Sequence, residues 1–254
     1  VMDIFKSFTV VPAIDLRKGQ VVRLAQGDFS RETMYHSDPA FVASQFDRQG
    51  ARLLHVVDLD GARVGEPQNL DALRRIRAAV SCVLEVSGGL RSMKSLEKVF
   101  AAGADFVSLG SASVLAPELL EKAAREYPGR VFGSVDCRDG KVAIKGWKEE
   151  GSLSVFEVVK RLRDAGAAAI IYTDILRDGL EKGLDIAKLE GFASLAQIPV
   201  IVSGGVASLS DVRRARELFS RGVVGVIIGR ALYEQRFTLS EALAIAQTSG
   251  QQSA

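Results

Sequence analysis

Residues 198–233 read IPVIVSGGVASLSDVRRARELFSRGVVGVIIGRALY. A β-branched run at 199–202 is bounded by Ser203, Gly204 and Gly205, which signals a strand ending in a tight turn. Apolar residues then recur at helical spacing over 209–219, with Ser208 and Ser210 placed to cap that helix. Gly222 stops it, 223–228 is the next strand, and Gly229 with Arg230 opens another turn. Each glycine turn lies just past the C-terminal end of a parallel strand, where bare backbone N–H groups converge. α/β proteins hold phosphate in this way.

The same alternation runs outward through the chain. Further strands are expected at 10–14, 53–57, 83–86, 106–109, 131–135 and 168–172. Helices are expected at 38–49, 69–79, 92–103, from Pro117 onward, and at 154–165, 186–195 and 238–247. Residues 19–24 and 140–147 read as hairpin-like excursions. Residues 25–37, AQGDFSRETMYHS, are polar and aperiodic, and 173–179 form a second polar loop; long irregular connections of this kind often carry function. Eight strands alternating with eight helices, the strands apolar throughout, predict an α/β fold of the (β/α)8 TIM-barrel type, one domain over 1–254. A doubly wound open sheet fits less well, because no Gly-x-Gly-x-x-Gly turn follows the first strand.

Composition narrows the class. The chain has 254 residues, 47% of them hydrophobic, and 33 basic against 31 acidic residues give a net charge of +2. No basic block suggests nucleic acid, and no run approaches the ~18 apolar residues of a membrane span. Cys82 and Cys137 stand far apart without metal-ligand spacing, so a reduced, cytoplasmic protein is expected. Residues 1–3 lack a signal layout, and Met2 is expected as the natural start.

The two halves of the chain match. Asp15-Leu-Arg-Lys-Gly-Gln-Val aligns with Asp136-Cys-Arg-Asp-Gly-Lys-Val, and Asp58 with Asp174. Ser87-Gly-Gly-Leu aligns with Ser203-Gly-Gly-Val, and Gly110-Ser-Ala with Gly229-Arg-Ala. The separation is roughly 120 residues each time, about half the chain, which predicts two similar (β/α)4 halves near 8–127 and 128–248. Two phosphate cradles then face each other across the barrel mouth. Ser87, Gly88, Gly89, Gly110 and Ser111 belong to one; Ser203, Gly204, Gly205, Gly229 and Arg230 belong to the other. Asp15 and Asp136 lie between them on the C-terminal face, where barrel enzymes place their chemistry. The expected ligand is a bisphosphate whose ends orient its middle. A lone aspartate or glycine at a strand end is commonly structural; repetition in register is what favours function here.

The motifs PAIDLRKGQVVRL (12–24), LHVVDLDGA (54–62), SGGLR (87–91), KGW (145–147), YTDILRDG (172–179), SGGV (203–206) and IGRALY (228–233) resemble the phosphoribosylformimino-AICAR-phosphate isomerases of histidine biosynthesis, along nearly the whole chain. The Asp-Leu-Asp-Gly-Ala turn separates it from the sister cyclase subunit of imidazole glycerol phosphate synthase. The resemblance implies an Amadori rearrangement of an aminoaldose to an aminoketose, by acid and base catalysis without metal or cofactor. It implies Asp15 as base, Asp136 or Asp178 as acid, and Thr173 as a hydrogen-bonding support. Arg23, Arg91, Trp147 and Gly179 fall in its substrate-contacting motifs, with Arg23 gripping a phosphate or carboxamide and Trp147 stacking on the imidazole ring. The alternative for Trp147 is a core filler. His55, inside a strand, reads as a buried, satisfied imidazole, and Asp58 as a source of supporting hydrogen bonds. A monomer is expected.

Three competing functions remain. A bifunctional isomerase would also act on phosphoribosyl anthranilate; the ending Phe237 to Leu243 suits it, but Lys145 stands where such relatives carry Arg. The cyclase is disfavoured by the strand-two motif. A non-catalytic sugar-phosphate-binding barrel would need the cradles but not the two acids.

Overall fold

β-Branched and aliphatic runs supply the barrel staves. The computed structural model describes residues 4–144, 146–147, 149–180 and 182–247. Among them are β1 (Thr9–Arg17), β2 (Gln20–Ala25), β3 (Asp28–His36), β4 (Leu53–Asp58), β5 (Val83–Ser87) and β6 (Phe106–Leu109). The second part of the chain adds β7 (Val131–Arg138), β8 (Lys141–Ile144), β9 (Glu149–Ser154), β10 (Ile170–Asp174), β11 (Val200–Ser203) and β12 (Val223–Ile228). Parallel pairing runs β1–β4–β5–β6–β7–β10–β11–β12 and returns to β1, so the sheet closes on itself. Helices stand between the staves. The chain is therefore a (β/α)8 TIM barrel, as the alternation predicts.

Burial explains the apolar strands. β6, β10 and β12 are buried at every position, because one face packs on the helices and the other fills the barrel. The inner core includes Val11, Leu53, Phe106, Phe132, Ile171 and Ile201. Phe106 stacks on Phe132 at 5.0 Å, and Phe5 tilts against Phe132 at 6.1 Å, sealing the base. No helix among the described residues is long and apolar enough to cross a membrane.

The structure departs from the sequence reading in several places, one being β9, which pairs with β8 where no strand was expected. Residues 25–37 are not a loop: β3 pairs antiparallel with β2. Both faces of β3 are largely solvated, so no apolar alternation announces it. The sixth stave runs two residues later than expected and carries Thr173 and Asp174 inside the strand, both buried. The turns after Asp58, Gly110 and Gly229 open short helices, Leu59–Val64, Ser111–Leu115 and Arg230–Tyr233, too short to show a helical period. Lys145, the position that bears on the bifunctional reading, lies outside the described residues.

Candidate active site

Glycine shapes each cradle, for reasons that differ from turn to turn. Gly88 has φ +99°, and a Cβ there would lie 2.2 Å from the Asp58 carbonyl oxygen. Gly204 repeats this at φ +86°, 2.7 Å from the Asp174 carbonyl oxygen. These turns press against the ends of the neighbouring staves, which bare backbone alone permits. Gly110 and Gly229 have negative φ and instead precede the short helices. A Cβ on Gly229 would fall 1.0 Å from Nη2 of Arg23, so this glycine makes room for a guanidinium.

Asp58 underlies the first cradle. It is buried and accepts hydrogen bonds from Gly61 N (2.8 Å), Gln68 N (2.6 Å), Asn69 N (2.9 Å) and Asn69 Nδ2 (2.6 Å). Its role is the supporting one expected from sequence. Asp174 does the matching work with different partners, Lys188 Nζ at 3.1 Å and Leu176 N at 3.2 Å.

The carboxylates stand between the cradles. Asp15, on β1, pairs with Arg23 Nη1 at 2.6 Å, a contact set up by the β1–β2 hairpin. The Arg23 guanidinium also lies over the Tyr233 ring, 5.8 Å from its centroid. Asp136, on β7, has Thr173 of β10 as its register partner and Trp147 in the same pocket, and the Ser134 hydroxyl donates to it at 3.4 Å. Burial pushes its pKa up, against the pull of the Trp147, Thr173 and Ser134 side chains. Asp178 follows β10, and its N–H is tied to the Asp174 carbonyl at 3.0 Å. Burial raises its pKa to about 6; Arg23 opposes the rise, and Asp15 and Asp136 add to it.

That shift sets a stability expectation. A carboxyl with a folded-state pKa above its ordinary value binds its proton more tightly when folded, so stability is lost as pH climbs from about 4 to 6. Two pKa units correspond to about 3 kcal/mol at most. Asp178→Asn has no such loss, so its advantage in unfolding free energy over wild type should grow by about 2–3 kcal/mol between pH 4 and pH 7. Urea unfolding at the two pH values measures it, and a pH-independent difference would contradict the raised pKa.

The catalytic and binding residues expected from sequence line two adjoining pockets. Asp136, Thr173, Trp147 and the first cradle occupy one end, together with Arg91. Gly179, Gly204, Gly205, Gly229 and Arg230 occupy the other. Asp15, Arg23, Asp178 and Ser203 border both. Trp147 is not a core filler. It lies at the mouth with φ +68°, its ring over Gly27, where a Cβ would come within 2.5 Å of it. Two arginines brace backbone: Arg91 Nη2 donates to the Ala62 carbonyl at 3.1 Å, and Arg230 Nη1 to the Gly179 carbonyl at 2.8 Å. Gly179 also crosses close to β2, where a Cβ would meet the Leu24 carbonyl oxygen at 2.8 Å.

Other lining residues escaped the sequence reading. Phe29 and Arg63 meet over the cleft at 5.8 Å, with no local signal in the chain. Ser108 and Ser134 line it too; a hydroxyl inside the runs FVSL and VFGSV was a visible clue. His55 pairs with Glu85 as a satisfied imidazole should, yet it also lines the cleft.

Residues 9–238 match the family described as histidine biosynthesis protein. A protein of Rhodopseudomonas palustris (strain BisA53) is 46% identical over 234 residues, covering 92% of this chain and 96% of its own. One of Anaeromyxobacter sp. (strain K) is 47% identical over 234 residues, 92% of this chain and 97% of its own. One of Magnetococcus marinus is 43% identical over 243 residues, 94% and 98% respectively. All three are named 1-(5-phosphoribosyl)-5-((5-phosphoribosylamino)methylideneamino) imidazole-4-carboxamide isomerase. A family match over almost the whole barrel, with near-full-length relatives at this identity, places the chain in the histidine biosynthesis protein family.

Proposed function

We propose that the chain is an aldose–ketose isomerase that carries out the Amadori rearrangement of phosphoribosylformimino-AICAR phosphate, the aminoaldose of histidine biosynthesis, to its aminoketose. The names of its near-full-length relatives support the reaction. The observation that carries the reading is a pair of adjoining pockets, each with a glycine cradle, with Asp15 and Asp178 on their shared border and Asp136 in the first. Remote binding of two phosphates fixes the ribose between those groups, so that binding energy is spent on orientation.

The reaction needs an acid to open the ribose ring and a base to take the proton from C2 of the imine. Asp15, ion-paired with Arg23, is the base. Asp178 and Asp136 both have raised pKa values, the direction that suits a general acid. Thr173, its register partner on β10, and Trp147 flank Asp136 in the pocket. The ligand is a small bisphosphate, the protein a single barrel built from two similar halves and active as a monomer, and its place the cytoplasm.

Steady-state turnover with the aminoaldose tests the reading. A full-length, folded protein that binds the substrate without converting it would leave a sugar-phosphate-binding barrel instead. Phosphoribosyl anthranilate, assayed in parallel, marks the breadth of the site.

A further inference from the structure

The sequence repeat gives this barrel an internal comparison. Asp15 on β1 corresponds to Asp136 on β7. The stave beside β1 is β4, and the stave beside β7 is β10, so the surroundings of the two carboxylates correspond as well. Next to the stave of Asp136, the inner core is built from Ile171 and Ile201, register partners that are 2% and 1% exposed. The matching positions next to the stave of Asp15 are His55 and Glu85, again register partners. A third difference lies on the hairpins, where Arg23 of β2 corresponds to Ile144 of β8. His55, Glu85 and Arg23 on the Asp15 side thus correspond to three isoleucines on the Asp136 side.

The fold does not demand the charged set. An apolar pair fills the same level of the same barrel on the other side. Buried ion pairs are often no more stabilising than apolar residues of similar volume. Here the pair is also incompletely satisfied: Glu85 is 2% exposed, and its Oε1 has no hydrogen-bond partner.

The groups facing His55 are Glu85 from β5, Asp15 from β1, Arg23 from β2, Asp136 from β7 and Asp178 from the loop after β10. Burial disfavours the imidazolium, but Glu85 and Asp15 outweigh it, and the pKa of His55 rises. The imidazole lies in the same cleft as Asp15, one stave away.

We propose that His55, fixed by Glu85, is a positioning residue that acts with Arg23 to make Asp15 the proton acceptor, while the isoleucines at the corresponding places leave Asp136 unsuited to that task. The inference rests on the isomerase reading. In the step concerned, the Asp15 carboxylate takes the C2 proton. The C–H pair becomes the C1–C2 double bond, and the π pair of the protonated imine moves to nitrogen. The product is a neutral enolamine and a carboxylic acid, with no oxidant or reductant required.

The test copies the second half into the first. The double variant His55→Ile/Glu85→Ile should fold and bind the aminoketose. Its kcat/KM at neutral pH should fall about tenfold or more. The acidic limb of its pH profile should also move, because the ionisable pair beside the base is gone. A wild-type limb with wild-type turnover overturns the proposal. A second measurement needs neither that variant's folding nor turnover. The chain has two histidines, so His36→Gln assigns the His55 imidazole resonances by NMR. Coupling between the groups is reciprocal; the His55 titration midpoint should therefore fall when Asp15→Asn removes the carboxylate. An unchanged midpoint overturns the coupling, whatever the protein's activity proves to be.

Discussion

Asp15→Asn should lower kcat by about three orders of magnitude, within the ~10²–10⁴ span of general-base catalysis. The amide keeps the shape of the carboxylate but cannot take a proton from carbon. Binding should survive, since the substitution leaves both cradles untouched. It also releases Arg23 from its 2.6 Å ion pair. The freed guanidinium sits at the Gly229 end of the cleft and can turn wholly to a phosphate. Affinity for the aminoketose, read by calorimetry, should stay within about tenfold of wild type or tighten. A loss of kcat smaller than tenfold would remove Asp15 as the base. A matching collapse of affinity would assign it to binding.

The second large effect is on folding. Gly88→Ala should destabilise the protein by about 3 kcal/mol or more, or prevent its accumulation as a folded chain. The new methyl would lie 2.2 Å from the Asp58 carbonyl oxygen, at a φ of +99° that an L-residue seldom adopts. Backbone must then move, and the end of β4 is held by the four hydrogen bonds of the Asp58 side chain. The yielding element is the end of β5, whose Ser87 pairs with Val57. Gly110→Ala is the control. Its φ is negative, and its nearest neighbour would be Ser134 Cβ at 3.8 Å, so unfolding in urea should hardly change. Comparable losses in the two variants would mean that the strain at Gly88 is relieved elsewhere.

These glycines show how far the sequence could be read. Gly88, Gly110 and Gly229 look alike as residues after apolar runs, and all three do line the cleft. Their reasons differ: contact with backbone, a helix start, and space for Arg23. Those reasons come from neighbours distant in the chain, which local pattern does not contain. The eight staves were legible because burial on both faces leaves continuous apolar runs. β3 was not, because a solvated ribbon has no apolar period and owes its form to β2. Trp147 stands in polar surroundings that leave ring stacking and core filling both open, and its place beside Asp136 and its seat on Gly27 are long-range. Asp178 and Asp136 were equal candidates in sequence, since burial and neighbouring charge are set by the closed barrel. His55 and Glu85 each stood out as a polar interruption, in LLHVVD and VLEVS, while their pairing required the β4–β5 register.

The aromatic plug of Phe5, Phe106 and Phe132 has one further consequence. A vessel stoppered at its base has one doorway, so arrivals and departures share it. Product must vacate before the next substrate can settle, and the two cannot be aboard together. The aminoketose, which keeps both phosphates, therefore competes for the berth from which it was made.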